Sequence, residues 1–384
     1  MTPEAHARLT RLRHDLHQYP ELSGHERETA ARMTELLQGF GADHVLTGLG
    51  GHGVAAVFDS GQAGPTVGIR CELDGLPIQE LGTHPYVSKV PGKGHLCGHD
   101  GHMTMVLGVA EDLARQRPIK GRVVLIFQPA EETGQGAIAF RADPQFGQIA
   151  PDYVFSLHNL PGLELGAVEL CQGSANCASR GMKIILTGKT SHAAAPQDGV
   201  SPARAMSELM LQLAGLGAGG ALDADFALTT VTHARLGEPT FGVAPGQAEI
   251  WVTLRTVSDA RMQTLMTEAE ALARRAASAD SLGVEITYDD VFEACVNHSD
   301  AVSIIATACT ERGVPCHSTE TPQKFSEDFG QFGKGAKTAM FWLGAGQGHP
   351  QLHNPDYDFP DALIPVGTVV FLSAIRQVLG DFQA

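Results

Sequence analysis

The sequence predicts an α/β protein whose mostly parallel sheet domain is interrupted by an inserted α+β domain. Three observations carry this expectation. Short, almost continuously apolar strands alternate with helical stretches over the first 160 residues, a βαββαβ run fills residues 179–293, and helix–strand alternation then resumes. At 384 residues the chain exceeds what a single core usually serves, so two domains are expected.

The N-terminal stretch is helical up to Tyr19-Pro20 and restarts near Ser23, whose spacing to Glu26 is that of a capping box. VAAVFDS and TVGIRCELD read as strands, the second ending at Asp74. After the Gly-rich loop GKGHLCGHDGH, the apolar residues Met103, Val106, Leu107, Ala110 and Leu113 have helical spacing. RVVLIF reads as a buried strand that stops just before Glu131 and Glu132, and DYVFSL as a strand ending at His158. The insertion then runs strand (GMKIILTG), helix (VSPARAMSELMLQLAGL), two strands (FALTTVTHARLG, QAEIWVTLRTV), helix (DARMQTLMTEAEALARRAASA) and strand (VEITYDD), the order of a ferredoxin-like split unit. A helix (DAVSIIATACTERG) and a strand (TAMFWLGAG) return to the first style. The expected boundaries are 1–178 with 294–384 for the sheet domain and 179–293 for the insertion.

Composition narrows the function classes. Hydrophobic residues make up 43% of the chain, as in ordinary globular proteins. A formal net charge of −16 argues against a nucleic-acid partner and an anionic membrane surface, which would both repel it. Charges throughout the first 21 residues exclude a signal-peptide reading, and no run approaches the roughly 18 apolar residues of a membrane span. Seven widely scattered cysteines read as reduced thiols, and hence a cytoplasmic protein.

The reactive side chains fall at strand ends. Asp74, Glu131, Glu132 and His158 each close a predicted strand, and His353 follows TAMFWLG across a Gly-rich loop. In an open α/β sheet that edge is where ligands bind, so residues distant in sequence can share one crevice. Adjacent glutamates at a strand end repel each other unless a cation lies nearby. Cys97 and His99, two residues apart in a flexible loop, can face one point. Thiolate and imidazole for metal, with a spare carboxylate for proton transfer, are the parts of metal-assisted hydrolysis. Taken singly, each histidine or cysteine reads as an ordinary surface or core residue. Their convergence is what points to a site.

The motifs LRHDLHQYPELSGHE, RCELDGLPI, GHLCGHDGHM, QPAEETGQGA, SLHN, GKTSHAAAP, SEDFGQF and LHNPDYDF occur in this order along nearly the whole chain. In them the chain resembles the dinuclear metallo-amidohydrolases of the aminoacylase and carboxypeptidase superfamily. The nearest branch comprises hippurate hydrolases, N-acyl-amino-acid amidohydrolases and auxin-conjugate hydrolases. The resemblance implies a metallohydrolase sheet domain with an inserted lid domain used in dimerisation. It implies two divalent ions held by Cys97, His99, Glu132, His158 and His353, with Cys97 bridging and Glu131 as general base. The donor types suit Zn, Mn, Co or Ni. It also implies that His192 of the insertion reaches a neighbouring subunit's site to stabilise an oxyanion. Asp74 is either a carboxylate orienting a ligand imidazole or a strand-end cap. Arg255 is either a clamp for a substrate carboxylate or an exposed strand arginine.

The expected activity is hydrolysis of the amide bond of a small N-acyl amino acid by a homodimer. The rivals are a dipeptidase or carboxypeptidase with the same centre, and a non-catalytic relative that binds metal or ligand. Gly242, Gln197 and Arg180 stand where relatives commonly carry asparagine, histidine and aspartate. None is a ligand or base position, but they bear on which substrate is accepted.

Overall fold

The computed structural model describes residues 1–382. The described residues form two compact units, one of residues 1–175, 295–320 and 327–382, the other of 176–294 and 321–326.

The first unit is built on an eight-stranded mixed sheet. At its centre, strands Arg122–Gln128, Thr66–Glu72, Tyr153–Pro161 and Lys337–Gly346 lie side by side and parallel. The hairpin of His44–Leu49 and Gly53–Asp59 adds antiparallel to one side. Beyond Lys337–Gly346, strand Val168–Cys171 adds antiparallel, and the short strand Cys316–Thr319 pairs parallel with it.

The central strands are buried almost without interruption, so both faces need cover. Helix His99–Arg115 packs against strand Thr66–Glu72 and helix Leu363–Leu379, with Val106, Leu107, Val109 and Ala110 fully enclosed. The turn Asp328–Lys334 packs on strands Tyr153–Pro161 and Lys337–Gly346, where its Phe332 meets both Phe329 and Phe140. Among the described residues no helix is long and apolar enough to cross a membrane.

The second unit is a four-stranded antiparallel sheet whose strands, numbered along the insertion, lie in the order second, third, first, fourth. Two helices cover one face. Ala205, Met206, Leu209 and Leu213 of helix Ala203–Ala214 and Met262, Leu265, Ala269 and Ala273 of helix Asp259–Ala279 form the apolar stripes. Along strand Gln247–Thr256 alternate residues Ala248, Ile250, Val252 and Leu254 face those stripes, a pleat with one side packed.

Two expectations need correction. His158 does not end its strand, which runs on to Pro161, because the neighbouring strand Lys337–Gly346 continues to supply hydrogen-bond partners. Ser23 and Glu26 do not form a capping box. The helix starts at Arg27, Ser23 Oγ donates to Asp74 Oδ2 at 2.7 Å, and Glu26 Oε1 accepts from the backbone N–H groups of Gly24 and Ala130 at 2.9 and 2.8 Å.

Candidate metal centre

The parallel strands and the loops beyond their carboxyl ends bring six of the anticipated side chains together. Cys97 Sγ lies 3.3 Å from His158 Nε2. Donor atoms of Cys97, His99 and His158 form one compact group, and those of Cys97, Glu132 and His353 form another. Glu131 joins His99 and Glu132 in a third, with its Oε2 3.9 Å from His99 Nε2. Cys97 and Glu132 thus stand between two sets of donors.

Local backbone strain aims several of these groups. Ala130 adopts φ 51 and His353 φ 66, left-handed values that cost a non-glycine residue on the order of 1–2 kcal/mol. Glu26, a residue the sequence pattern assigns to a helix start, holds the Ala130 N–H and so steadies the turn carrying both glutamates. The His353 N–H donates to Leu96 O at 2.8 Å, tying its loop to the Cys97 loop. Gly98, between Cys97 and His99, has φ 95, and a Cβ there would lie 2.0 Å from Asn159 Oδ1.

Around this group lies a shell of oriented partners. His99 Nδ1 faces Asp74 O at 2.8 Å and Asp74 Oδ1 at 3.5 Å, while the other Asp74 oxygen accepts from Ser23 and from the Glu132 N–H. The Asp74 carbonyl thus faces the His99 ring, while its carboxylate holds the Glu132 backbone. His158 Nδ1 faces Asn159 O at 2.8 Å, leaving Nε2 turned to Cys97. Two residues outside the expected set complete the arrangement. His102, three residues after His99 on the same helix, faces Glu72 Oε2 through Nδ1 at 2.7 Å and Asn159 Oδ1 through Nε2 at 2.8 Å. His102 stands at His-x-x-His helical spacing from His99, and Glu72 and His102 fall within the quoted motifs RCELDGLPI and GHLCGHDGHM.

The donor set fits divalent cations on the structure's own terms. His99 Nε2, Glu132 Oε1 and Asp74 Oδ1 are buried without a hydrogen-bond partner, a costly state for polar atoms unless something else satisfies them. Burial, with the charges of Glu327, Glu132, Asp328 and Asp74, drives the Glu131 carboxyl well above the usual carboxylate range. Burial lifts Glu132 to about 7 against the pull of His99. The Cys97 thiol is likewise pushed well up, by burial and by both glutamates. So much anionic capacity held neutral by crowding is what a bound cation would reverse.

Gly98→Ala tests this geometry. The methyl group must displace Asn159 and the backbone must leave φ 95, so the Cys97–His99 spacing changes. Metal affinity, read by chelator competition, is expected to fall about 10–100-fold. Unchanged affinity would detach the loop from the centre.

The remaining two candidates belong to the second unit. His192 is exposed on a two-residue strand paired with Val243–Ala244, and its Nδ1 accepts from the Ala194 N–H at 3.0 Å, which leaves Nε2 to carry the proton of the neutral ring. Arg255 donates to Lys324 O and Ser326 Oγ at 2.6 and 2.8 Å, holding the segment 321–326 against its sheet.

Comparison with known proteins gives three findings. The model of peptidase family M20/M25/M40 matches residues 68–377. The hippurate hydrolase of Campylobacter jejuni is 30% identical over 356 residues, covering 92% of each chain, and the N-acetylcysteine deacetylase of Bacillus subtilis is 27% identical over 376 residues, covering 97% of each. Among solved structures, a dinuclear metal binding peptidase of the M20 family from Bacillus subtilis superimposes with a TM-score of 0.84 at 26% identity, covering 99% of both chains.

Proposed function

The chain belongs to peptidase family M20/M25/M40 as a metal-dependent amidohydrolase working with two divalent ions, and from that premise we propose that it hydrolyses the amide bond of N-acyl amino acids. The observation that carries this reading is the clustering of Cys97, His99, Glu132, His158 and His353 beside a buried Glu131.

Those five side chains would hold the two ions, with Cys97 and Glu132 nearest to both donor sets. When bound, the ions polarise the scissile carbonyl and acidify the attacking water. Glu131 accepts the proton of that water and passes it to the departing nitrogen. Its carboxylate lies beside the His99 and Glu132 donors and, once a bound cation has restored its ionised form, would take up a proton and release it within one turnover. Asp74 holds the His99 ring in place through Nδ1, so that Nε2 faces the centre.

His192, with its Nε2–H free to donate, is assigned to the oxyanion that forms on the substrate carbonyl, acting from a second copy of the chain in a homodimer built through the 176–294 unit. Arg255 is assigned to the carboxylate of the released amino acid. His192→Ala is expected to lower turnover about 10²–10³-fold with metal content unchanged. Equal turnover in the variant would remove the assignment.

The relatives named for hippurate and for N-acetylcysteine point to an acyl amino acid and not a peptide. Release of amino acid from N-acetyl and N-benzoyl derivatives, compared with release from dipeptides, tests this directly. Faster cleavage of the dipeptides would make the enzyme a peptidase with the same centre.

A further inference from the structure

A second cluster of imidazoles and carboxylates lies in the sheet-bearing unit, made of residues that the proposed dinuclear centre does not use. His17, at the end of the first helix, is fully buried. Its Nδ1 is 2.9 Å from Asp100 Oδ2, and its Nε2 is 3.1 Å from Glu80 Oε1. The same Glu80 oxygen lies 2.9 Å from His84 Nε2. One donor atom each of His17, His84 and Asp358 fall within 4.8 Å of one another.

This cluster is short of positive charge. Glu80, Asp100, Asp358 and Asp361 face Arg13 and His17 in surroundings that exclude most water. Neither ring nitrogen of His84 makes a well-directed hydrogen bond, although both are buried and Nε2 faces Glu80. Burial holds His84 below the usual histidine range, so its ring is neutral and available as a donor. Meanwhile the stretch between Glu72 and His99 contains no helix and no regular strand. Loops of that length in a compact domain need fastening or serve a function.

We propose that His17, His84, Glu80 and Asp358 form a further binding site for one divalent cation of the zinc type, independent of the dinuclear centre. Two imidazoles with carboxylates are a borderline-metal donor set. Tetrahedral zinc bonds place neighbouring ligand atoms about 3.3 Å apart, so the 2.9 and 3.1 Å separations need only a small outward movement. On binding, His17 gives up the Nε2 proton it shares with Glu80, and that proton leaves to solvent. Asp100 stays on Nδ1, completing a carboxylate–histidine–metal arrangement. Arg13 occupies Asp358 Oδ1 and Tyr86 donates to Oδ2, which fixes the carboxylate's orientation and leaves it a lone pair for the ion. The ion would staple the 73–98 loop and the 358 loop to the first helix.

The test is zinc stoichiometry. Wild type, His84→Gln, Glu80→Gln and Cys97→Ser proteins are each incubated with zinc chloride, desalted and analysed for bound metal, with circular dichroism checking the fold. The wild type is expected to hold one ion more than either His84→Gln or Glu80→Gln. Cys97→Ser is expected to lose metal from the other centre while keeping the ion that depends on His84. Equal stoichiometry in wild type and both cluster variants overturns the proposal. Loss confined to the cluster variants, with Cys97→Ser unchanged, supports this site and counts instead against the dinuclear assignment.

Discussion

Glu131→Gln is expected to abolish most hydrolysis while leaving metal content at the wild-type level. Glutamine preserves shape and one acceptor oxygen but cannot carry a proton from water to a leaving nitrogen. Loss of general acid–base catalysis of this kind is worth about 10²–10⁴-fold in kcat. The metal readout matters because Glu131 is close enough to His99 and Glu132 to act as a ligand itself, its Oε2 lying 3.9 Å from His99 Nε2. If Glu131 were a ligand, the variant would lose metal and activity together. If it were a bystander, kcat would hold. Only inactivity with full metal content matches the base assignment, and elemental analysis beside steady-state kinetics on one preparation separates the three outcomes.

What could be read from the sequence divides along physical lines. Cys97 and His99 flank one glycine, and Glu131 and Glu132 are adjacent, so their proximity needs no tertiary information. The near-continuous apolar runs before Asp74 and Glu131 likewise announce central parallel strands, since only burial on both faces tolerates them. Glu26 shows where such reading stops. Its spacing from Ser23 satisfies a local rule for helix starts, yet its carboxylate is engaged by Ala130, 104 residues away. Local propensity and tertiary hydrogen bonding compete for the same side chain, and burial decides for the second. His17 is similar: beside Tyr19-Pro20 it resembles any helix-end histidine, and only folding sets Glu80 and Asp100 against its two nitrogens. His102 and Glu72 escape notice because each has an ordinary place on its helix or strand, and their meaning lies in facing one another at 2.7 Å.

Arg70→Met is expected to lower unfolding free energy by about 3–5 kcal/mol, the usual result of removing one partner from a buried ionic network. Arg70 is buried beneath the candidate centre and bonds Glu72, Glu327 and Asp328, with its Nε donating to Gln128 at 2.9 Å. Burial alone would push Glu72 toward the neutral form, but Arg70 and His102 hold it ionised. Asp328 stands at the other extreme: burial lifts its carboxyl to about 8 even with Arg70 beside it, and Glu327 adds to the rise. Losing the guanidinium would strand Glu72 and Glu327 without their main counter-charge and free the turn Asp328–Lys334 that Asp328 anchors through the Ala137 N–H and Gln128. A typical domain has only about 5–15 kcal/mol of stability in total, so the loss would be plain in a urea titration. Arg70→Lys should recover part of it, because one ammonium cannot reproduce a fork that reaches four side chains at once. A midpoint within error of wild type for Arg70→Met would mean that the carboxylates neutralise themselves by taking up protons, and that the cation merely sits among them.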